Sequence, residues 1–455
     1  MLQAAFTPKT NYFDADSVDA AIPRPKASLF VCTLVAHESR HHVDSVLSFL
    51  PQLRDKRRRD AFRQQRLERG EFGALPLQFQ TARVPRTCTR ETPQFTRLNS
   101  RRAVPMRMQG THALFGTELP IIQAPMAGVQ SSALAIAVSN AGGLGSLPCA
   151  MLSLDTMRAE LAALASGTSQ PFNVNFFCHT PPVPDPNHEA AWRTLLRPYY
   201  DEFGIDSSTV PSGPGRAPFS HEAADVLSEF KPAVVSFHFG LPSSDLLQRV
   251  RGWGARVLSS ATTVDEARWL EARGVDAIIA QGIEAGGHRG VFLSDDLTTQ
   301  VGTFALVPQI VNAVRVPVIA AGGIADAPGV AAAIALGASA VQVGTAYLLC
   351  PEATTSAVHR AALRSDASRH TALTNLFTGR PARGIVNRFM REIGPMSDAV
   401  PPFPLATSAV LPLRTAAEQR GSGDFSPLWS GQNVTGCRDI PAADVTRQLI
   451  QAARR

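Results

Sequence analysis

Lysine is nearly missing from this chain: Lys9, Lys26, Lys56 and Lys231 are the only four in 455 residues, so arginine carries almost all of the positive charge. That bias reads as the codon usage of a GC-rich genome rather than as a functional feature. Long apolar runs are also missing. The longest, such as Ala27–Ala36, stop far short of the ~20 residues that a membrane span needs, which argues against an integral helical membrane protein. The N-terminus lacks a basic patch followed by an apolar core and a small-residue cleavage site, so no secretory leader is expected. Six cysteines lie far apart with no C-x-x-C spacing, which speaks against a structural zinc site or a disulfide scaffold and suits a reducing cytoplasm. Neither H-E-x-x-H nor G-x-S-x-G occurs, and no Cys/His cluster, so a metal centre and serine-hydrolase chemistry lack support. A G-x-G-x-x-G fingerprint is absent too, which disfavours a Rossmann-type dinucleotide site.

What is present is a globular composition, 44% hydrophobic and 18% charged, which excludes disorder throughout. The net charge of +6 is unevenly placed. Residues 1–105 hold 18 Lys and Arg against 10 Asp and Glu, while the remaining 350 hold 26 against 28. Nucleic-acid binding by the main body therefore has no electrostatic support. Residues 1–105 also lack a sustained period, apart from weak amphipathicity around Asp60–Glu71. Such a segment is either a basic arm for nucleic acid or anionic lipid, or a disordered tail or mis-chosen start. The second reading is favoured, because Met106 and Met108 stand just before the first well-formed strand.

From Leu119 short apolar runs alternate with Ala-rich helical stretches. Strands are expected at Leu119–Met126, Leu144–Pro148, Phe172–Phe177, Ala233–Phe239, Arg256–Ala261, Ala277–Gly282, Pro317–Gly323 and Ala340–Leu348. Helical spacing fits Ser131–Ala141, Ser153–Ala165, Ser243–Gly252, Thr263–Arg273, Thr303–Val314 and Asp326–Leu336. Near-continuous apolar strands suit a parallel sheet buried on both faces, and eight such units argue for an α/β fold of the (β/α)8 TIM-barrel type, with a doubly wound open sheet as the alternative. The chain then divides into an N-terminal extension (1–105), a barrel (106–349), and a helical lid or subdomain with a C-terminal tail (350–455). One Pro-, His- and Gly-rich excursion, residues 178–225, follows the third strand and should lie over the C-terminal face of the barrel.

The chemistry-bearing residues sit at strand ends. Ala320-Ala-Gly-Gly-Ile-Ala325 and Gln342-Val-Gly-Thr-Ala346 close the last two strands, where this fold commonly binds phosphate. Gly322 and Gly323 could merely make a tight turn. Two such loops on adjacent strands, with Thr345 as a hydroxyl donor and a helix N-terminus nearby, favour an anion site. Gln281-Gly-Ile-Glu-Ala-Gly-Gly-His-Arg-Gly290 presents His288 on a loop whose glycine content packing alone does not justify, and its imidazole suits proton transfer near neutral pH. Glu284 is a weaker acid–base candidate, His238 a secondary one or a pocket wall, and His179 a pocket residue. Gln123-Ala-Pro-Met-Ala-Gly128 is either a strand-to-helix turn or a place where backbone at Ala124 and Met126 meets a flat ring. Asn173 and Asn175 are amides at the end of an apolar strand, and a bound ligand would satisfy them.

Together these motifs resemble the nitronate monooxygenases, formerly called 2-nitropropane dioxygenases. The resemblance runs from about Leu114 to Leu449, includes Gly379-Arg-Pro-Ala-Arg383 and Leu428-Trp-Ser-Gly-Gln432, and does not reach residues 1–105. It implies a barrel with a smaller helical domain, non-covalent FMN, and oxidation of alkyl nitronates, in some members nitroalkanes, by O2 to nitrite and a carbonyl compound. His288 matches the catalytic histidine. Gly322, Gly323, Gly344 and Thr345 match the phosphate site; Ala124, Met126, Asn175 and Gln281 match positions near the flavin, with Gly286 and Gly287 beside them. Some relatives place a lysine at the end of the fifth strand, where Val257-Leu-Ser-Ser-Ala-Thr-Thr263 offers only hydroxyls. NAD(P)H-dependent quinone or enoyl-acyl-carrier-protein reductases share the scaffold and form the alternative reading. From another class, a phosphate-ligand sensor or a basic-arm nucleic-acid binder would carry no flavin. The expected partners are a small substrate and O2, with no nucleic acid or membrane, for a cytoplasmic monomer or homodimer.

Overall fold

The computed structural model describes residues 114–210 and 216–451. The N-terminal extension and the amphipathic stretch at 60–71 lie outside the described residues. Eight parallel strands alternate with helices: β1 (Ile121–Gln123), β2 (Gly145–Pro148), β3 (Phe172–Phe177), β4 (Val234–His238), β5 (Arg256–Ala261), β6 (Ala277–Gln281), β8 (Val318–Ala321) and β9 (Ala340–Val343). Their order is β1-β9-β8-β6-β5-β4-β3-β2. The ring closes where Leu144, just before β2, donates to the Ile121 carbonyl at 2.8 Å and accepts from Gln123 N at 3.0 Å. Alternation along each strand divides the apolar residues between two cores. Ile122, Leu258, Ile279 and Ile319 fill the barrel interior, while their neighbours Ile121, Val257, Ile278 and Ala320 face the helices.

The helices packed on the barrel begin where the sequence places caps. Ser153 accepts from Thr156 N ahead of α2 (Leu154–Gly167), and Thr263 from Glu266 N ahead of α6 (Val264–Ala272). The other barrel helices are α1 (Ser132–Asn140), α4 (His221–Phe230), α5 (Ser244–Gly252), α7 (Thr303–Ala313) and α8 (Ala327–Ala335). Among the described residues no helix is long and apolar enough to cross a membrane.

Three local expectations are corrected. The excursion after β3 contains α3 (Pro186–Phe203), 18 residues long, as well as α4. Proline density concealed α3, yet Pro186 stands at its first turn, Asp185 caps it, and Trp192, Leu196 and Tyr200 form a buried stripe at i, i+4, i+8. Second, the last barrel strand ends at Val343, not Leu348. Gly344 breaks the ladder and Thr345–Tyr347 turn as a 3-10 helix. Third, Gly287–His288 forms a two-residue strand, β7, that leaves the barrel and joins β10 (Thr371–Thr374) and β11 (Ala382–Ile385) in an antiparallel sheet of order β10-β11-β7.

The stripe of α3 packs in a second core with Leu376, Phe377, Phe389, Leu413 and Phe425, contributed in part by α10 (Arg388–Ile393) and α11 (Ala406–Gln419). Tyr200 Oη donates to the Ala409 carbonyl at 2.7 Å, satisfying a buried hydroxyl within that core. The short α9 (Ala357–Arg364) precedes them in the chain, and the last helix, α12 (Ala442–Gln448), packs Val445, with Leu449 just beyond it, into the barrel-side core.

Candidate functional site

One cavity opens at the C-terminal ends of the barrel strands, lined by Ala124, Met126, Asn175, Gln281, Gly286, Gly287, His288, Gly322, Gly323, Gly344 and Thr345, while Glu284 and Asn173 do not line it. The strand-end positions converge because parallel strands deliver their last residues to one rim. His238 lines the cavity as well; His179 does not, and instead packs edge-on against Phe403, 4.8 Å between centroids.

His288 is held by long-range pairing. β7 pairs with β11 so that His288 faces Ala382. The Gln281 side chain donates to the His288 carbonyl at 3.0 Å and accepts from Gly290 N at 2.8 Å, clamping the loop. The His288 ring lies 5.4 Å from Phe403, 5.6 Å from Trp429 and 6.0 Å from Phe177 and Phe239. Burial holds its pKa well below the usual value, and the charge of Arg216 is the largest electrostatic contribution in the same direction. The imidazole is therefore neutral at pH 7. Its Nε2 is 3.0 Å from Thr378 Oγ1, while Nδ1 has no hydrogen-bond partner among the described residues.

His238 has a defined tautomer. Its Nε2 lies 3.2 Å from the His288 carbonyl, which can only accept, so Nε2 carries the proton; Nδ1 then accepts from Ser260 Oγ at 2.6 Å. Burial pushes its pKa down to about 3. It thus supports the loop as a neutral donor, with no spare proton to exchange. Glu284 is likewise committed: its carboxylate accepts from Thr303 N and Oγ1, both at 2.8 Å, and caps α7.

The glycine turns have geometry that only glycine tolerates. Gly322 has φ +120° and Gly323 φ +70°, and a Cβ on Gly322 would lie 2.7 Å from Thr303 Oγ1. The Gly323 and Ile324 amides donate to no acceptor among the described residues. The expected helix dipole is spent elsewhere, because α8 starts at Ala327 and Asp326 already caps it by accepting from Gly329 N at 2.8 Å. Loop amides, rather than that helix end, are the free donors. At β1 the amides of Ala124 and Met126 are engaged by the Val343 carbonyl at 2.8 Å and Gln130 Oε1 at 2.9 Å, leaving side chains and carbonyls to meet a ring. Asn173 and Asn175 donate to Ser236 Oγ, each at 2.9 Å, so their NH2 groups need no ligand.

Sequence reasoning gave no cavity role to several residues of its roof and wall, although Gln342, Trp429 and Gly431 lie within quoted motifs. Arg216 enters from the excursion after β3, where only the surrounding Pro/Gly texture marks it. Gln342 lines the wall with a buried, unpartnered Oε1. Trp429, Gly431 and Asn433 cross above the glycine loops: Gly431 N donates to Thr345 Oγ1 and Asn433 Nδ2 to the Gly323 carbonyl, each at 3.0 Å. His359, neutral with a pKa lowered to about 4 by burial, has Nε2 3.1 Å from the Trp429 carbonyl and fixes that crossing.

A family model described as nitronate monooxygenase matches residues 109–452. A nitronate monooxygenase of Pseudomonas aeruginosa is 44% identical over 350 residues, covering 75% of this chain and 98% of the relative. Another, from Paraburkholderia phytofirmans, is 44% identical over 342 residues, covering 74% and 92%. Among solved structures, a nitroalkane oxidase from Streptomyces ansochromogenes superposes with a TM-score of 0.68 at 38% identity, covering 75% of this chain and 98% of that one. FabK from Thermotoga maritima superposes with a TM-score of 0.55 at 27% identity, covering 76% and 96%.

Proposed function

The chain belongs to the nitronate monooxygenase family, and from that premise we propose that it oxidises alkyl nitronates with O2, releasing nitrite and a carbonyl compound, with FMN as its cofactor. The observation that carries the proposal is the meeting of two features in one cavity: an imidazole enclosed by aromatic rings, and glycine turns with free amide donors. The residues present fit FMN. The Gly323 and Ile324 amides are free donors at the cavity wall, and the orphaned Gln342 Oε1 suits the donor edge of a heterocycle. On this reading Gly322, Gly323, Gly344 and Thr345 hold the phosphate, and Ala124, Met126, Asn175, Gln281, Gly286 and Gly287 wall the ring. FMN, when bound, supplies the one-electron chemistry between a nitronate and O2.

The protein's share is orientation, proton handling and exclusion of water. With Nε2 bonded to Thr378, His288 Nδ1 is the ring atom left to meet substrate. It accepts the α-proton of a neutral nitroalkane in one tautomer and donates to an anionic nitronate in the other. A low pKa makes it a weak base, so preformed nitronates should be the better substrates. Phe177, Phe239, Phe403 and Trp429 keep the ring dry. The test is the purified protein itself. A yellow protein that consumes O2 when given an alkyl nitronate supports the proposal. A colourless protein overturns it, and NAD(P)H oxidation with a quinone, without nitronate-dependent O2 uptake, overturns it in favour of a reductase on the same scaffold.

A further inference from the structure

We infer that Arg216 is the anion-recognition residue of this cavity: its guanidinium meets the two nitro oxygens of a nitronate and sets the preference for the anion over the neutral nitroalkane. The inference rests on the function proposed above, and it is carried by groups that function does not use.

Arg216 lines the same cavity as His288. The protein anchors it lightly. Nη1 donates to Thr407 Oγ1 at 3.0 Å, and the guanidinium carbon sits 5.7 Å from the centroid of Phe403. Its Nε is buried without a partner, and among the described residues no carboxylate forms an ion pair with it. The only charge that perturbs it is another cation, Arg414, which together with burial lowers its pKa to about 10. It still carries its charge at pH 7. Arg380 differs: its guanidinium lies 4.1 Å over Phe239, but Asp295 and Glu266 are near enough to offset its charge. Arg216 alone of the two lacks a counter-charge.

A second observation concerns the same aromatic floor. His179 is 5% exposed, and both of its ring nitrogens lack hydrogen-bond partners. It stands edge-on to Phe403, the ring beneath Arg216, and its pKa is pushed down to about 4 by burial and by the charges of Arg380 and Arg216. Cationic and hydrogen-bonding groups thus gather round Phe403 without an acid among them. A partly buried guanidinium with no counterion carries a desolvation cost, and a ligand that brings the negative charge reduces it. A nitronate spreads one charge over two coplanar oxygens, which matches the planar fork of a guanidinium. The nitro group of a neutral nitroalkane is uncharged and a much poorer acceptor.

The test uses the FMN-loaded enzyme with Arg216→Met, which removes the charge at similar volume, and Arg216→Lys, which keeps the charge and loses the fork. With Arg216→Met, kcat/KM for a preformed nitronate should fall about 10–100-fold, mainly through KM, whereas the neutral nitroalkane, which acquires its charge only as His288 takes the proton, should lose in kcat rather than in KM. Arg216→Lys should recover part of the loss. Sodium nitrite, titrated calorimetrically, gives a readout independent of turnover: its Kd should rise about 10-fold or more in Arg216→Met and less in Arg216→Lys. An unchanged nitronate KM, or equal nitrite affinity in wild type and Arg216→Met, would overturn the assignment. A wild type that binds no nitrite overturns it as well. A wild type inert to nitronates sinks the proposed function, while the nitrite titration still decides on Arg216. Should Arg216→Met fail to fold, the comparison of Arg216→Lys with wild type decides.

Discussion

Replacing His288 with asparagine separates its two roles, because only one of them needs a titratable nitrogen. General bases contribute about 10²–10⁴-fold. The buried, depressed pKa of His288 weakens its driving force as a base, so the loss on a neutral nitroalkane should lie near the lower end, about 10²-fold. A preformed nitronate needs no deprotonation, and its loss should stay within a hydrogen bond's net worth, about 0.5–1.5 kcal/mol or roughly 2–10-fold. The four aromatic rings around the imidazole mean that the smaller side chain leaves a void, costing about 1–3 kcal/mol of stability while the cofactor-facing glycines are untouched. A modest fall in Tm with full flavin content is therefore expected. The assay is the ratio of the two activities in one preparation, followed across pH. A depressed pKa keeps the base form present down to acid pH, so the acid limb of wild-type nitroalkane turnover due to His288 should fall well below pH 6.5. Equal losses on both substrates would reduce His288 to a binding residue, and no loss on either would remove it from the mechanism. A wild type inert to neutral nitroalkanes, or an acid limb at or above pH 6.5 that disappears in the variant, would refute the base argument.

Gly323→Glu adds a carboxylate at φ +70°, close to Glu284, in the turn whose free amides are assigned to phosphate; flavin content should collapse while circular dichroism stays native-like, and undiminished flavin would refute the assignment. Stability should fall in acid. His179, His238 and His359 have folded pKa values of about 4, 3 and 4, below the unfolded value of about 6.5, so the unfolded chain alone takes up protons as pH drops through that window. Each should withdraw up to about 2 kcal/mol between pH 7 and pH 5, and a denaturation midpoint flat over that range would contradict their burial. Removing residues 1–105 should leave flavin binding and nitronate oxidation intact, since the family match begins at residue 109; a soluble but colourless truncated protein would show the segment belongs to the functional fold.

The barrel was legible because its signals are local. Each strand is a short, largely apolar run, and β3 and β5 fall at the expected bounds, Phe172–Phe177 and Arg256–Ala261. Strand ends then bring Asn175, Gln281, Gly322 and Gly344 together without any further information, since a parallel barrel has only one C-terminal rim. The roof was not legible, because it is made by pairings distant in sequence. Thr378 reaches His288 from 90 positions away, and Asn433 reaches Gly323 from 110 away. No periodicity records such contacts. Arg216 announces itself only through what surrounds it in space, an aromatic face and no acid.

The glycines around His288 show how a local signal points to the right place for a partly wrong reason. Their density suggested a loop with no packing duty, yet most of them are required by packing. A Cβ on Gly286 would lie 2.5 Å from Gly431 N, one on Gly290 3.0 Å from His238 Cε1, and one on Gly282 1.9 Å from Thr303 Oγ1. These are the crossings of the tail, the supporting histidine and the capped helix α7. Gly287 is the exception. With φ +71° it needs glycine for its backbone, but a Cβ there would meet nothing within 4 Å, so its space opens toward the cavity it lines. Alanine at 286 should therefore displace the Ser430–Gly431 crossing and lower stability. Alanine at 287 should add only the strain of a left-handed side chain, about 1–2 kcal/mol, and report on what fills the cavity. Comparing the two variants by Tm and by flavin affinity distinguishes a glycine kept for the fold from one kept for the ligand. If Gly286→Ala lost flavin at unchanged Tm, while Gly287→Ala fell in Tm alone, the division drawn here would be reversed.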